Sequence, residues 1–249
     1  MKVGVVTFPG SNSDVDALNA LAVAGVEPVT LWHESPDMRG VSAVILPGGF
    51  AYGDYIRAGV IARFSPVMHG VSEFAAAGGH VLGICNGFQV LAEAGLVPGA
   101  LLRNRSLRFA CKVVSIRPTR LDSPFTHAAT GATIRIPIAH GEGCYYADDE
   151  TLDRLERDGQ VLFRYVREDG TPATDPDEQA NPNGSLRAIA GVCSPAGNVA
   201  GLMPHPERMA EPILGTDDGM QLIRSLVASA ARWDAAGRPR PAPATGAAR

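Results

Sequence analysis

A cysteine stands between two glycines in VLGICNGFQ, residues 81–89, where an apolar run meets a helix-like segment. The G-x-C-x-G pattern has the spacing of a nucleophile elbow, with a thiol in place of the hydroxyl. A sharp strand-to-helix turn needs glycines because a Cβ at either position would collide with adjacent backbone. The helix N-terminus favours thiolate. The sequence therefore predicts Cys85 as a nucleophile, with the N–H of Asn86 facing an oxyanion; the alternative is a buried, inert cysteine.

A thiol nucleophile needs a base, and the base needs an orienting group. Among six histidines, His205 is the best candidate because it lies in the segment GLMPHPE, residues 201–207. Pro206 biases His205 towards an extended conformation, in which residues i and i+2 share a face. Glu207 is then the neighbour that fixes the imidazole tautomer. The position after a strand-like run fits the strand ends where α/β sites gather; the alternative is a solvated pair in a proline-rich loop.

A glycine pair follows another strand-like run, in LPGGF, residues 46–50. Glycines at a strand end permit an exposed backbone N–H, and the N–H of Gly49 would complete an oxyanion hole with Asn86. The alternative is an ordinary Pro-Gly turn. The three segments together predict a thiol hydrolase site assembled from distant parts of the chain.

Composition limits the classes of protein to which the chain can belong. Its 249 residues are 45% hydrophobic, which suffices for one large α/β domain or two small ones. The net charge is -4, and no basic stripe is present, so we expect no nucleic-acid partner. No apolar stretch is long enough to cross a bilayer, and no secretory signal is recognisable. We therefore expect a cytoplasmic protein with reduced thiols at its four cysteines, none of which has a metal-finger spacing.

The elements that must position these residues change character along the chain. In the first half, strands are predicted to alternate with helices, at 2–8, 28–33, 42–46 and 80–84. In the second half, strands are predicted with few helices between them, at 109–116, 132–138, 160–166, 186–193 and 198–203. A polar loop at 167–185 and a last helix at 216–232, opened by Thr216, complete the pattern. We expect an α/β domain over 1–233, with a mostly parallel sheet, helices on both faces and an antiparallel extension; residues 234–249 are predicted to be a disordered tail.

PGGF, GICNGFQ and MPHPE together resemble the class I glutamine amidotransferases. Further blocks are similar to the family of glutaminase subunits of phosphoribosylformylglycinamidine synthase: FPGSNSD, PGGFAYGDYIRAG, GICNGFQVLAEAGLVPGAL, RNRSLRF, PIAHGEG, NPNGS and GLMPHPER. These blocks cover nearly all of the chain outside its tail. The long glycine-rich block and IAHGEG are the most specific, because generic amidotransferase domains lack them.

The resemblance implies a flavodoxin-like domain that hydrolyses glutamine to glutamate and ammonia. By motif position, Cys85 is the nucleophile, His205 the base and acid, and Glu207 its orienter. Gly49 and Asn86 supply the oxyanion N–H groups. The remaining implied positions hold the glutamine substrate: Gln89, Asn104, Ser106, Phe109, His140, Gly141 and Glu142.

The sequence contains no recognisable nucleotide-binding loop, although amidation of an unactivated amide requires ATP. The resemblance therefore implies that this chain, with no metal or organic cofactor of its own, supplies ammonia to a partner that uses ATP and Mg. That partner is a large synthetase subunit, together with a small third subunit, and the reaction converts formylglycinamide ribonucleotide to formylglycinamidine ribonucleotide in de novo purine synthesis. We expect low activity until the partner docks, with residues 52–57 as the candidate coupling segment or, alternatively, ordinary surface.

Two other functions fit parts of the pattern. A cysteine peptidase or a stress-response protein of the same architecture would share the elbow cysteine but would not need both PHPE and IAHGEG. A regulatory subunit with a vestigial site would have no need to keep Cys85, His205 and Glu207 together.

Overall fold

The computed structural model describes residues 1–174 and 177–237 of the chain. Its strands are β1 (Lys2–Thr7), β2 (Glu27–Trp32), β3 (Ala43–Leu46), β4 (His80–Ile84), β5 (Ala100–Leu102), β6 (Ala110–Pro118), β7 (Ile134–His140), β8 (Cys144–Tyr146), β9 (Val161–Val166), β10 (Ile189–Cys193) and β11 (Val199–Leu202). Its α-helices are α1 (Asp14–Val23), α2 (Pro66–Ala76), α3 (Asn86–Glu93), α4 (Asp149–Arg157) and α5 (Met220–Ala235). Short 3₁₀ turns lie at Ala51–Asp54, Ala62–Phe64, Leu186–Ala188, Pro206–Met209 and Pro212–Leu214.

One sheet organises the described residues. Its nine strands follow the order β2-β1-β3-β4-β11-β10-β9-β6-β7. Neighbours are parallel from β2 to β11 and antiparallel from β11 to β7. A separate antiparallel pair joins β5 to β8. The predicted α/β fold, with a parallel sheet and an antiparallel extension, is confirmed.

The centre of the sheet is buried on both faces, which is why helices must cover both sides. All of β3 and the last four residues of β4 are buried. Gly83 and Gly201 are paired in register on β4 and β11, and a Cβ at either would meet Leu91 or Phe88 of α3. α5 contacts β3 and β4 and also α1. This core fixes the ends of β3, β4 and β11, and each predicted catalytic segment begins at one of those ends.

The last helix begins later than the sequence predicts, at Met220 instead of Thr216. Thr216 forms an isolated bridge with Glu211, and the side chain of Asp218 accepts the N–H of Arg135 at 2.9 Å. The Cα of Gly219 lies so close to Pro206 that a Cβ there would be 2.0 Å from the Pro206 carbonyl oxygen. Contacts with the sheet and with the His205 segment therefore hold residues 216–219 in turns and delay the helix.

Other departures lie in the strand-rich half and at the tail. Three elements, α4, β5 and β8, were not predicted from the sequence; α4 buries only two leucines, Leu152 and Leu155, so its apolar pattern is weak. α5 continues to Ala235, and Asp234 accepts a hydrogen bond from Ser42 at 2.6 Å, so the first residues of the predicted tail are helical. Residues 238–249 of that tail, and residues 175–176 of the predicted polar loop, lie outside the described residues.

Candidate active site

Cys85 occupies the bend between β4 and α3 with φ 50° and ψ -106°, a conformation that L-residues rarely adopt. The bend depends on Gly87, where a Cβ would be 1.9 Å from the carbonyl oxygen of Leu46. The Cys85 N–H donates to Leu202 at 2.8 Å, and its carbonyl accepts the N–H of Gln89 at 3.1 Å. The residue is 4% exposed, but its side chain lines a cavity of about 160 Å³. The thiol is therefore recessed in a cavity wall and is not sealed in the core.

His205 and Glu207 form a buried pair, with Nδ1 of the imidazole 2.6 Å from Oε1 of the carboxylate. The His205 N–H donates to Pro137 at 2.8 Å, which anchors the segment to β7. Gly48 lies against the imidazole, since a Cβ there would be 2.5 Å from Cε1. The predicted adjacency holds, although Glu207 belongs to a 3₁₀ turn and not to an extended segment.

The electrostatics of this pair favour an imidazolium. Burial by itself would lower the pKa of His205, but the charges of Glu207 and of the Cys85 sulfur, with their hydrogen bonds, raise it well above its ordinary value. Because Nδ1 faces Glu207, Nε2 is the nitrogen left for the reacting groups, and it is buried without another well-formed hydrogen bond. The arrangement suits proton delivery by His205 beside a sulfur nucleophile.

The two predicted oxyanion donors are the backbone N–H groups of Gly49, in the cavity wall, and of Asn86, which follows Cys85 in the chain. Gly49 lines the cavity with Cys85 and has φ +149°; a Cβ there would be 2.8 Å from the Cα of Ser11. Asn86 begins α3, so its N–H has no acceptor within the helix. Its side chain is held on both sides: Oδ1 accepts the N–H of Ala51 at 3.0 Å, and Nδ2 donates to Gln89 and Asp54. The donor is thus fixed in place before any substrate arrives.

Most of the residues implied to hold substrate line this cavity with Cys85. These are Gln89, Phe109, His140, Gly141 and Glu142. Gln89 also donates to the carbonyl of Glu142 at 2.6 Å, which joins α3 to the loop after β7. An adjoining cavity of about 160 Å³ shares Gly49 and Phe109 and is lined by His205. The structure therefore brings Cys85, the predicted nucleophile, and His205, the predicted base, to adjoining cavities, with most of the implied substrate residues around Cys85.

Two of the implied substrate residues do not reach the cavity wall. Asn104 is fully buried, and its amide donates to the carbonyls of Arg108 and His140 at 2.9 Å each. Its Oδ1 accepts the N–H of Gly143 at 3.0 Å and faces Nδ1 of His140 at 3.2 Å. Ser106 is exposed, and its hydroxyl accepts the N–H of Arg108 at 3.3 Å. Asn104 thus supports the loop that forms the wall, and Ser106 lies outside it.

Three residues that line the cavity were not predicted as site residues from the sequence: Phe50, Asp54 and Ala139. Asp54 lies within the predicted coupling segment, and burial, helped by the charge of Glu142, raises its pKa to about 6. Nothing in the residues around Asp54, which lies three positions before Arg57 in a glycine-rich block, indicated that its side chain would line the cavity. Ala139 contributes its carbonyl oxygen, which lies 3.7 Å from the Cys85 sulfur, and a backbone contact leaves no trace in residue type.

The other thiols lie elsewhere. Cys193 is buried in β10, and burial raises its pKa to about 11. Cys111 is exposed on β6, and Cys144 begins β8 with its sulfur 3.1 Å from the carbonyl of Gly184.

Within residues 1–174 and 177–237, no group of three or more His, Cys, Asp or Glu is placed to hold a metal ion. None of the helices in those ranges combines the length and apolarity that a membrane span requires.

Comparison with known proteins places this chain in a family. Residues 1–217 match the CobB/CobQ-like glutamine amidotransferase domain. Over 231 residues the chain is 55% identical to the phosphoribosylformylglycinamidine synthase subunit PurQ of Rubrobacter xylanophilus, covering 92% of this chain and 99% of that one. The chain belongs to the PurQ family. The PurQ of Thermus thermophilus is 53% identical, with 93% and 100% of the two chains covered. This PurQ-family chain is accordingly a glutamine amidotransferase of the phosphoribosylformylglycinamidine synthase type.

Solved structures agree with the PurQ assignment. A chain of the PurLQS structure from Thermotoga maritima is 41% identical, with a TM-score of 0.78 over 91% of this chain and 97% of that one. Another glutamine amidotransferase from Thermotoga maritima has a TM-score of 0.56 at 14% identity, covering 92% and 97%, and shows the shared fold alone. The PurQ relatives therefore confirm the flavodoxin-like amidotransferase fold that the motifs predict.

Proposed function

We propose that this chain is the glutaminase of a phosphoribosylformylglycinamidine synthase and works through a triad of Cys85, His205 and Glu207. It hydrolyses glutamine and passes ammonia to an ATP-dependent synthetase subunit. That subunit converts formylglycinamide ribonucleotide to formylglycinamidine ribonucleotide in de novo purine synthesis. The observation that carries the proposal is geometric: Cys85 and His205 line adjoining cavities that share Gly49 and Phe109, and Glu207 holds the imidazole at 2.6 Å.

The reaction follows from the proton positions. The Cys85 thiolate attacks the side-chain amide carbon of glutamine, and the resulting oxyanion is stabilised by the N–H groups of Gly49 and Asn86. His205 donates its Nε2 proton to the departing nitrogen, which leaves as ammonia, and a glutamyl thioester remains. Water then gives a proton to Nε2 as it attacks the thioester, and collapse of the second tetrahedral intermediate releases glutamate and the thiolate. No metal or organic cofactor takes part in this scheme.

The division of labour follows from the chemistry. Amide hydrolysis consumes no ATP, whereas replacing an amide oxygen by nitrogen requires activation of that oxygen. ATP and Mg therefore act on the partner, which we propose to be a large synthetase subunit that works with a small third subunit. The assembly would work in the cytoplasm, with the ammonia delivered without release to solvent.

Residues 52–57 are proposed to couple partner docking to catalysis. Tyr55 and Ile56 project from this segment with 74% and 85% exposure. The backbone just before it donates to the Asn86 side chain, and Asp54 accepts from that same side chain at 3.2 Å. Three non-glycine residues of the segment have positive φ: Tyr52, Asp54 and Ile56. A partner that binds Tyr55 and Ile56 would thus act on the proposed oxyanion donor, Asn86, through a short and strained backbone segment.

The decisive experiment separates ammonia production from ammonia use. In the assembled complex, Cys85→Ala should abolish glutamine-dependent synthesis and leave synthesis from added ammonium salt unchanged. A matched control is Cys193→Ala, since that buried thiol lies in β10 and outside the cavity. Full glutamine-dependent synthesis by the Cys85→Ala complex would disprove the nucleophile. Loss of both activities together with an intact complex would contradict the division of labour.

A further inference from the structure

The cavity lined by Cys85 also contains hydrogen-bond acceptors that the glutaminase mechanism does not use. Asp54 and Glu142 both line it, and each lies close enough to the other for the Glu142 charge to act on the Asp54 carboxyl. The only hydrogen-bond donor that reaches Asp54 among residues 1–174 and 177–237 is the neutral amide of Asn86. Glu142 has a loose ion pair with the exposed Arg103, at 3.8 Å. Asp54 is therefore a half-buried carboxylate beside a second carboxylate, with no cation of its own in the described chain.

A second, independent observation concerns His140, which lines the same cavity and is 3% exposed. The amide nitrogen of Asn104 is occupied by two carbonyls, so its Oδ1 is the atom that faces Nδ1 of His140. Nδ1 must then carry the proton, and Nε2 is a bare acceptor. Nε2 is buried and has no hydrogen-bond partner. Burial, with the charge of His205, lowers the pKa of His140 to about 3, so the ring stays neutral at physiological pH.

The unfilled acceptors identify the chemistry of the missing group. The two carboxylates and the unprotonated imidazole nitrogen can all accept hydrogen bonds, and none of these atoms can donate one. An ammonium ion presents three donors and a positive charge, and it relieves the repulsion between the carboxylates. An anion or a neutral amide would leave that repulsion in place. Of the groups on the proposed substrate, only the α-ammonium meets this requirement.

We propose that Asp54 is a specificity-determining residue that binds the α-ammonium group of L-glutamine. This inference rests on the proposed glutaminase function and adds to it the selection of an amino-acid amide over other amides. Asp54 is tied through Asn86 to both Gln89 and the oxyanion donor, so the ammonium site and the reacting end share one rigid frame. Glu142 adds long-range electrostatic attraction, and His140 lines the same cavity with its buried Nε2 atom lacking a hydrogen-bond donor.

Asp54→Asn is a clean perturbation at this position. Asp54 has φ 52°, and asparagine tolerates that left-handed conformation better than other residues. The asparagine Oδ1 can still accept from Asn86, so the change removes charge with little change of shape. Asp37→Asn is the matched control: Asp37 lies on an exposed loop, where its Oδ1 accepts the N–H of Arg39 at 2.8 Å.

The test pairs this variant with a substrate that lacks the ammonium group, 4-carbamoylbutanoate, and measures ammonia release by the assembled complex. For L-glutamine, Asp54→Asn should raise KM by about 10- to 100-fold with a smaller change in kcat, because a charge-assisted hydrogen bond is lost. For 4-carbamoylbutanoate, which binds weakly to both forms, kcat/KM should be the same in both. Asp37→Asn should behave as wild type with both substrates.

Binding to complexes that carry Cys85→Ala gives a readout independent of turnover. In these complexes, adding Asp54→Asn should weaken the binding of L-glutamine by the same 10- to 100-fold and leave the binding of 4-carbamoylbutanoate unchanged. Equal losses for the two ligands would overturn the proposal, since Asp54 would then act only through Asn86. No loss for either ligand would overturn it as well. A failed glutaminase proposal would give a different result: glutamine turnover surviving Cys85→Ala.

Discussion

Gly48→Ala should disable the site by displacing one imidazole. Gly48 has no positive φ, so alanine is compatible with its backbone and the effect is steric. A Cβ at this position would be 2.5 Å from Cε1 of His205. Carbon atoms prefer a separation of about 3.5 Å or more, so the ring must move by roughly 1 Å. The ring has little freedom to do so, because Glu207 holds Nδ1 at 2.6 Å and Pro137 holds the backbone at 2.8 Å.

A misplacement of about 1 Å in a catalytic group can reduce the rate about 100-fold, which corresponds to about 2.7 kcal/mol of activation free energy. We expect a loss of that size in kcat for glutamate release, measured in the assembled complex with saturating glutamine. Ammonia-dependent synthesis, which the partner performs, should persist, and co-purification of the variant with the partner together with an unchanged circular dichroism spectrum would report correct folding. Gly25→Ala controls for backbone strain alone: a Cβ there meets nothing within 4 Å, and the strain at φ +81° should lower stability but leave kcat unchanged. Wild-type kcat in Gly48→Ala, with the fold intact, would refute the placement of His205 as the acid.

Three further outcomes follow from the contacts around the cavity. Asn104→Leu should lower the free energy of unfolding by about 3 kcal/mol in denaturant titrations, because buried partners of its amide lose their hydrogen bonds; a loss below about 1 kcal/mol would contradict its supporting role. Between pH 6.5 and 3, His140 binds more protons in the unfolded chain than in the folded protein, where it is buried and neutral. The free energy of unfolding therefore falls as the pH is lowered through this range. His140→Gln should flatten the change in unfolding free energy from pH 8 to pH 5 by about 2 kcal/mol, and an unchanged slope would refute a neutral buried ring. Replacing Tyr55 and Ile56 together by serine should reduce the stimulation of glutamate release by the partner but not the basal rate, and full stimulation would exclude the segment as the coupling element.

The three proposed catalytic segments could be located in the sequence because residue types report much of their local geometry. The two glycines around Cys85 are required by contacts with Leu46 and Leu91 that no side chain would allow. The prolines around His205 restrict the backbone locally, so the contact with Glu207 needs no knowledge of the fold. Parallel strands were predictable for a similar reason, since β3 and β4 are continuous apolar runs buried on both faces.

The substrate wall was harder to predict because its residues act through backbone or through tertiary contacts. Asn104 was predicted to bind substrate, yet its amide donates to the carbonyl of His140 and accepts the N–H of Gly143, at the end of β7 and in the loop after it. Asp54 is an unremarkable acid in sequence, and its altered pKa arises from burial and from Glu142, which lies 88 positions later in the chain. No local pattern reports that two acids so far apart share a cavity.

The antiparallel half of the sheet explains why the cavity exists at all. A parallel sheet that ended at β11 would place Cys85 and His205 at an open edge, exposed to water. β7 and the loop after it close that edge: Pro137 holds the His205 backbone, Ala139 faces the Cys85 sulfur, and Glu142 is tied to Gln89. The strand-rich extension therefore closes the site around the elbow through backbone carbonyls of β7 and of the loop after it.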